Sequence, residues 1–300
     1  MAQSKPFMFA AYPREALMTE QWITVGDLRI RYVDSGGEGI PVFLLSGIGA
    51  SLEFWSNQLE ALGERLRLIA WDYPGHGLSD GDGRSHDPDR YAAFALDVMN
   101  ALGLERVVAV GNSLGGAIAL RMAGLAPDRV AGLMLASPAM MGPEVFLPFR
   151  LMSLPLLGEL MSKPGKLSVE QQIAALFHDS ASATEALRRI VWRNVHKDGA
   201  PQALLATMRE TLWIGGVRKV HWARSRALLK SATCPILFIH GKQDVVLPFQ
   251  QSIDCAKLNP RAEVKVIDGC GHTPQIEIPE TFNAEMKAFA RRVDEDHATS

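Results

Sequence analysis

VVAVGNSLGGAIALRMAGLA, residues 107–126, joins a short apolar run to a longer helical pattern through a glycine-rich turn. Val107–Val110 is apolar at both parities, as a strand covered on both faces must be. Leu114–Leu125 is apolar almost all round, which predicts a helix packed deep in the molecule. Between them, Gly111-Asn112-Ser113-Leu114-Gly115 sets Ser113 on the strand-to-helix turn. The glycines let the backbone close tightly there, and the helix N-terminus brings positive partial charge to the hydroxyl. An ordinary N-cap serine with packing glycines is the alternative reading.

Outward from this stretch the same alternation continues. Ile23–Val25 and Leu28–Val33 read as a hairpin around Gly26-Asp27, and Pro41–Leu45, Leu66–Trp71 and Val130–Leu135 as buried strands. Helical patterns cover Ser51–Gly63 and Arg90–Gly103. Strand, helix and strand at this spacing predict an α/β chain with a mostly parallel central sheet flanked by helices. From Pro138 to about Lys230 no strand is expected; Glu170–Phe177, Ala183–Val195 and Ala203–Leu212 look helical. That segment carries 13 Lys and Arg against 7 Asp and Glu, so it is basic while the remainder is acidic. Strands resume at Pro235–Ile239 and Val264–Ile267, with helices near Phe249–Leu258 and Pro279–Val293. The expected organisation is an α/β core, 1–138 and 231–300, with a helical cap or lid, 139–230, inserted after the sixth strand.

Composition narrows the function classes. The 300 residues hold 31 Lys and Arg against 33 Asp and Glu, a net charge of −2, which makes no electrostatic case for a nucleic-acid partner. Three cysteines without Cys-x-x-Cys spacing argue against a disulfide scaffold and a thiolate metal site, and favour a cytoplasmic setting. Met1–Leu17 lacks the apolar core of a signal peptide, and no stretch has the ~18 apolar residues of a membrane span. No phosphate loop, dinucleotide fingerprint or metal-ligand cluster occurs, so neither cofactor nor metal is expected. The expected partner is a small molecule, and a homodimer is allowed.

A serine hydroxyl is a poor nucleophile at neutral pH unless a base removes its proton and a carboxylate orients that base. Of eight histidines, His272 alone stands on a glycine-rich loop after the last strand, in Gly269-Cys270-Gly271-His272-Thr273. His76 lies in another glycine-rich loop; His86, His178, His196, His221, His240 and His297 fall in helices, a strand end or tails. His240 ends a strand and reads as a packing residue. Asp244, in Gly241-Lys242-Gln243-Asp244, is the candidate acid; Asp268 is the second choice, close in sequence to His272. The backbone amides of Leu114 and Ile48 are the candidate oxyanion donors. Ser46, Asn112, Met140, Trp192 and Trp213 are candidate pocket residues. Cys270 reads as a packed loop residue.

Taken with Leu44-Leu45-Ser46-Gly47, Asp72-Tyr73-Pro74-Gly75-His76-Gly77-Leu78-Ser79, Gly111–Gly116, Gly241–Pro248 and Gly269–His272, the chain resembles the α/β-hydrolase superfamily from about Trp22 to Val293. The resemblance implies a Ser113–His272–Asp244 triad, with the Asp72–Ser79 motif structural. Asn112–Gly116 and Phe177-His178-Asp179 are similar to the meta-cleavage-product hydrolases, which break C–C bonds in ring-fission products. Two positions depart from that branch. Thr273 stands where Trp follows the histidine, and Val191 stands where the cap supplies an Arg for the substrate carboxylate, with Arg189 and Arg193 nearby. The expected activity is hydrolysis of small to medium, mainly apolar carboxylic esters through an acyl-enzyme. A C–C hydrolase and a non-catalytic ligand receptor on the same fold are the alternatives.

Overall fold

Eight strands form one sheet in the computed structural model, which describes residues 19–83 and 87–298. Met1–Leu17 and His86 lie outside the described residues. The strands are β1 (Gln21–Val25), β2 (Leu28–Asp34), β3 (Val42–Leu45), β4 (Leu68–Trp71), β5 (Val107–Asn112) and β6 (Val130–Ala136). After a short separate ribbon, β7 (Leu212–Trp213) with β8 (Gly216–Val217), come β9 (Ile236–Gly241) and β10 (Ala262–Ile267). Spatial order is β1-β2-β4-β3-β5-β6-β9-β10. Pairing is antiparallel on both sides of β2 and parallel from β4 onward. The chain therefore turns back at β3, and the loops leaving β3 and β5 meet at the carboxyl edge, where open α/β sheets hold their ligands.

Helices cover both faces. On one side α2 (Pro88–Ala101) and α3 (Leu114–Leu125) pack against each other over Phe43, Leu45, Ala109, Leu133 and Phe238. On the other, α1 (Ser56–Leu62) meets the last helix over Leu44, Val110, Met134 and Ile239. Residues of alternate parity feed opposite cores, which is why these strands are apolar throughout.

From residue 139 to 231 the chain forms α4 (Leu147–Met152), α5 (Leu157–Met161), α6 (Lys166–Leu176), α7 (Glu185–His196), α8 (Ala200–Thr211) and α9 (Lys219–Ser231). Thr184 starts α7 by accepting from the Leu187 amide at 3.2 Å. The first five of these helices stand over the carboxyl edge of the sheet, whereas α9 packs on α3. The expectation of no strand in this segment is corrected by β7 and β8. Two residues per strand cannot display a period, and Gly216, at φ 118°, places its own backbone so close to the Pro143 carbonyl that a Cβ would fall 2.2 Å from the oxygen. The fold closes with α10 (Gln250–Ala256), α11 (Pro274–Glu277) and α12 (Pro279–Ala298). Among the described residues, no helix is long and apolar enough to cross a membrane.

Candidate active site

Ser113 occupies the turn between β5 and α3 at φ 55°, ψ −118°, a region that L-residues avoid. The strain is held by the surroundings. The Ser113 amide donates to the Ala136 carbonyl at 3.0 Å, and the Ser113 carbonyl accepts from Ala139 at 2.9 Å. Gly115 is required by close approach, since a Cβ there would lie 2.0 Å from the Leu45 carbonyl oxygen. That contact presses the start of α3 against the loop leaving β3. The Leu114 amide, first in α3, has no acceptor within the helix, and Ile48 lies on the facing loop at the same cavity.

His272 stands on the loop after β10, 2 % exposed, with its amide donating to the Leu176 carbonyl of α6 at 2.9 Å. Its Nδ1 lies 2.7 Å from Asp244 Oδ2. Asp244 Oδ1 accepts from the Val246 and Leu247 amides at 2.8 and 2.9 Å, so the loop ending at Pro248 curls around the carboxylate. Burial alone would raise this carboxyl, but the His272 charge and the hydrogen bonds of both neighbouring histidines outweigh it and hold it far below the ordinary carboxylate range. Asp268 is turned outward to Gln243 and Lys242 and does not face the ring. Asn112 joins the two halves of the site, donating from Nδ2 to the His272 carbonyl at 3.0 Å and to Ala136 at 3.2 Å.

One contact was not anticipated. His240, at the end of β9, puts Nε2 3.0 Å from the same Asp244 Oδ2. Sequence offered only its strand-end position and a spacing of four residues to Asp244.

Ser113 and His272 open on a cavity of about 450 Å³ whose far wall is built by α4, α5, α6 and α8. Phe149, Met152, Met161, Leu204 and Met208 make that wall largely apolar. No Lys, Arg, Asp or Glu lines it among the described residues. Asn112 and His76 border the cavity; four other expected pocket residues do not. Ser46 is turned into the loop, accepting from Trp55 Nε1 at 3.0 Å and donating to the Ser51 carbonyl at 3.3 Å. Met140 is buried under α3, its sulfur 3.8 Å from Arg121 Nη2. Trp192 is 46 % exposed and stacks on His196, and Trp213 is 53 % exposed on the ribbon. Indole rings suggest burial, but α7 and β7 turn these two away from the wall. Cys270 is fully buried beside the site, and burial pushes its thiol up, far from a reactive thiolate.

Neither arginine near position 191 reaches the cavity. Arg189 is exposed and pairs with Glu185 on its own helix, and Arg193 is engaged by Glu53. Val191 itself is 1 % exposed, packed with Phe54, Ile173 and Leu187.

A family model described as alpha/beta hydrolase fold matches residues 40–279. The dihydrolipoyllysine-residue acetyltransferase component of the acetoin cleaving system of Pseudomonas putida is 31% identical over 270 residues, covering 89% of this chain and 68% of that protein. The 2-hydroxy-6-oxo-6-(2'-aminophenyl)hexa-2,4-dienoic acid hydrolase of Metapseudomonas resinovorans is 27% identical over 285 residues, covering 93% and 94%. Among solved structures, the meta-cleavage product hydrolase CumD of Pseudomonas fluorescens IP01 superposes with a TM-score of 0.77 at 24% identity, covering 91% of this chain and 97% of that one.

Proposed function

From the premise that this chain belongs to the alpha/beta hydrolase fold family, we propose that it is a carboxylic-ester hydrolase for neutral, mainly apolar substrates. One observation carries the reading: the cavity that Ser113 and His272 share is large, apolar and free of charged side chains among the described residues. In this scheme Ser113 Oγ attacks the ester carbonyl while His272 takes its proton. Asp244 holds the His272 tautomer with Nε2 toward the serine and stabilises the imidazolium. The Ile48 and Leu114 amides receive the oxyanion. The tetrahedral intermediate then collapses, its alkoxide leaving with the proton from His272. Water, activated by the same ring, attacks the acyl-enzyme and restores the serine. Within residues 139–230, helices α4 to α8 act as the cap that shapes the acyl pocket. Three unpaired cysteines fit a reducing, cytoplasmic setting.

The second reading, C–C hydrolysis, is favoured by the relative from Metapseudomonas resinovorans. It requires a carbon leaving group that is protonated before cleavage, and hence a fixed cation for the acid substrate. Val191, the outward Arg189 and the engaged Arg193 supply none at the cavity. A panel of p-nitrophenyl esters run beside a ring-fission product tests the choice. The ester kcat/KM is expected to exceed the other by at least about tenfold, roughly 1.4 kcal/mol in transition-state stabilisation. Faster cleavage of the ring-fission product would overturn it.

A further inference from the structure

We infer that His240 is a positioning residue that fixes the Asp244 carboxylate and weakens its hold on His272; the inference rests on the triad reading and deepens it. His240 Nε2 faces two acceptors, Asp244 Oδ2 at 3.0 Å and the Leu247 carbonyl at 3.1 Å. An imidazole nitrogen between two acceptors must carry a hydrogen. Nδ1 lies 2.7 Å from the hydroxyl of Ser252 on α10, which can donate to it. His240 and Ser252 are 1 % and 0 % exposed, so water does not compete for these bonds.

Asp244 is therefore held by four donors. Oδ1 takes the Val246 and Leu247 amides, and Oδ2 takes one N–H from His240 and one from His272. Rotation of the carboxylate would break several of them at once in a site without solvent. Sharing Oδ2 has a second effect. A donor on the far side draws negative charge from the oxygen, so the His272 imidazolium is stabilised less than by a carboxylate with a single partner. Removing that donor would strengthen the bond from Asp244 to the His272 imidazolium. The titratable groups around this loop include Lys242, paired outward with Asp268, Glu144 on Gln251 of α10, the buried Cys270 and His76 on the cavity wall. Glu277 of α11 accepts the Gly271 and His178 amides. In the hydrogen bonds of the described residues, His240 and His272 are the donors to Oδ2.

The test compares His240→Leu, which removes the donor, with His240→Gln, which keeps a side-chain N–H. On p-nitrophenyl acetate, His240→Leu should lower kcat by about 10–100-fold with KM little changed. It should also move the acid limb of kcat/KM to higher pH. His240→Gln should recover most of both. A loss in His240→Leu with an unmoved limb and no recovery in His240→Gln would make the residue merely structural. Should His240→Leu not fold, nitrogen NMR of the wild-type protein decides: a neutral His240 with its proton on Nδ1 overturns the role. Asp244→Asn separates the premises. If that variant is crippled while His240→Leu is normal, His240 alone is overturned; if Asp244→Asn is fully active, the triad reading and this role fall together.

Discussion

Arg193 of α7 closes its guanidinium on the carboxylate of Glu53, with Nη1 2.6 Å from Oε1 and Nη2 3.0 Å from Oε2. Glu53 follows the loop that carries Ile48, so the fork ties the inserted helices to the candidate oxyanion loop. Arg193 Nη2 and Asn194 Nδ2 also reach Ser51 Oγ at 3.1 and 2.9 Å, and Lys197 holds the Ser79 and His76 carbonyls. A second guanidinium, Arg31, meets Glu53 from the core at 2.7 Å. These bonds make Arg193 a brace between layers rather than a substrate ligand.

The brace predicts an acid-sensitive stability. Burial works to raise the Glu53 carboxyl, but the hydrogen bonds and charges of Arg193 and Arg31 hold it at about 2 against an ordinary 4.5. A carboxyl depressed in the folded state favours folding fully above 4.5, and that contribution drains as pH falls toward 2. Asp72, on the same Arg31, is pushed up by burial and by the Glu53 charge and works in the opposite direction, so the readout is the difference between wild type and Glu53→Gln in melts at pH 6, 5, 4 and 3. Glu53→Gln should be less stable at pH 6, by about 3 kcal/mol for a buried pair broken on one side. Its Tm should then fall less steeply. Parallel curves for the two proteins would remove Glu53 from the acid response.

Ser113 is expected to be the residue that an organophosphonate labels. Ser113→Ala should keep the fold and lose more than about a thousandfold in kcat. It should also relieve nothing of the turn strain, because alanine meets the same φ of 55°. Mass spectrometry of the labelled peptide locates the modified serine; modification elsewhere would move the nucleophile.

The two aspartates near His272 should separate sharply. Asp244→Asn leaves an amide where Oδ2 accepted from the ring, favouring the tautomer with its proton on the wrong nitrogen, and should cost about 10⁴ in kcat. Asp268, outside with Lys242 and Gln243, should change kcat by less than about threefold when made Asn. Matched kinetics on one ester decide it, and the reverse ranking would reassign the acid.

Much of this architecture was legible because buried parallel strands carry apolar residues at every position. Val107–Val110, Val130–Leu135 and Pro235–Ile239 all lie within or beside observed strands. The ends of strands were legible too, since Gly115 and Gly241 mark places where backbone meets backbone. What stayed hidden depended on contacts remote in sequence. Helices α4 and α5 span six and five residues beside Pro148 and Pro155, too short to show a helical period. Helix α9 is basic and lies on α3 through Arg121, which reaches Ser225 and the His221 carbonyl. Local sequence offers His240 only a packing role, because nothing near it shows that Asp244–Leu247 curls back over it. Trp192 and Trp213 were misplaced for a related reason: residue type proposes burial, but helix phase and ribbon twist assign the face.

The far wall of the cavity should set acyl preference. Leu204 and Met208 lie four apart on α8, both on the cavity, with Ala203 beside them and Met152 and Met161 from neighbouring helices. A cavity of about 450 Å³ has room for more than an acetyl group, and flexible methionines can adapt to chain length. Leu204→Trp adds a bulky ring where a branched chain stood and reduces that room without touching Ser113, His272 or Asp244. Acetate turnover should then change by less than about threefold. For octanoate, kcat/KM should fall by at least about tenfold, because displaced methylenes each forfeit about 0.8 kcal/mol of burial. The ratio of the two substrates is the readout, since a general loss of stability or of catalytic geometry would depress both equally. An unchanged ratio would place the acyl chain elsewhere, toward the mouth of the cavity, and leave α8 as scaffold only.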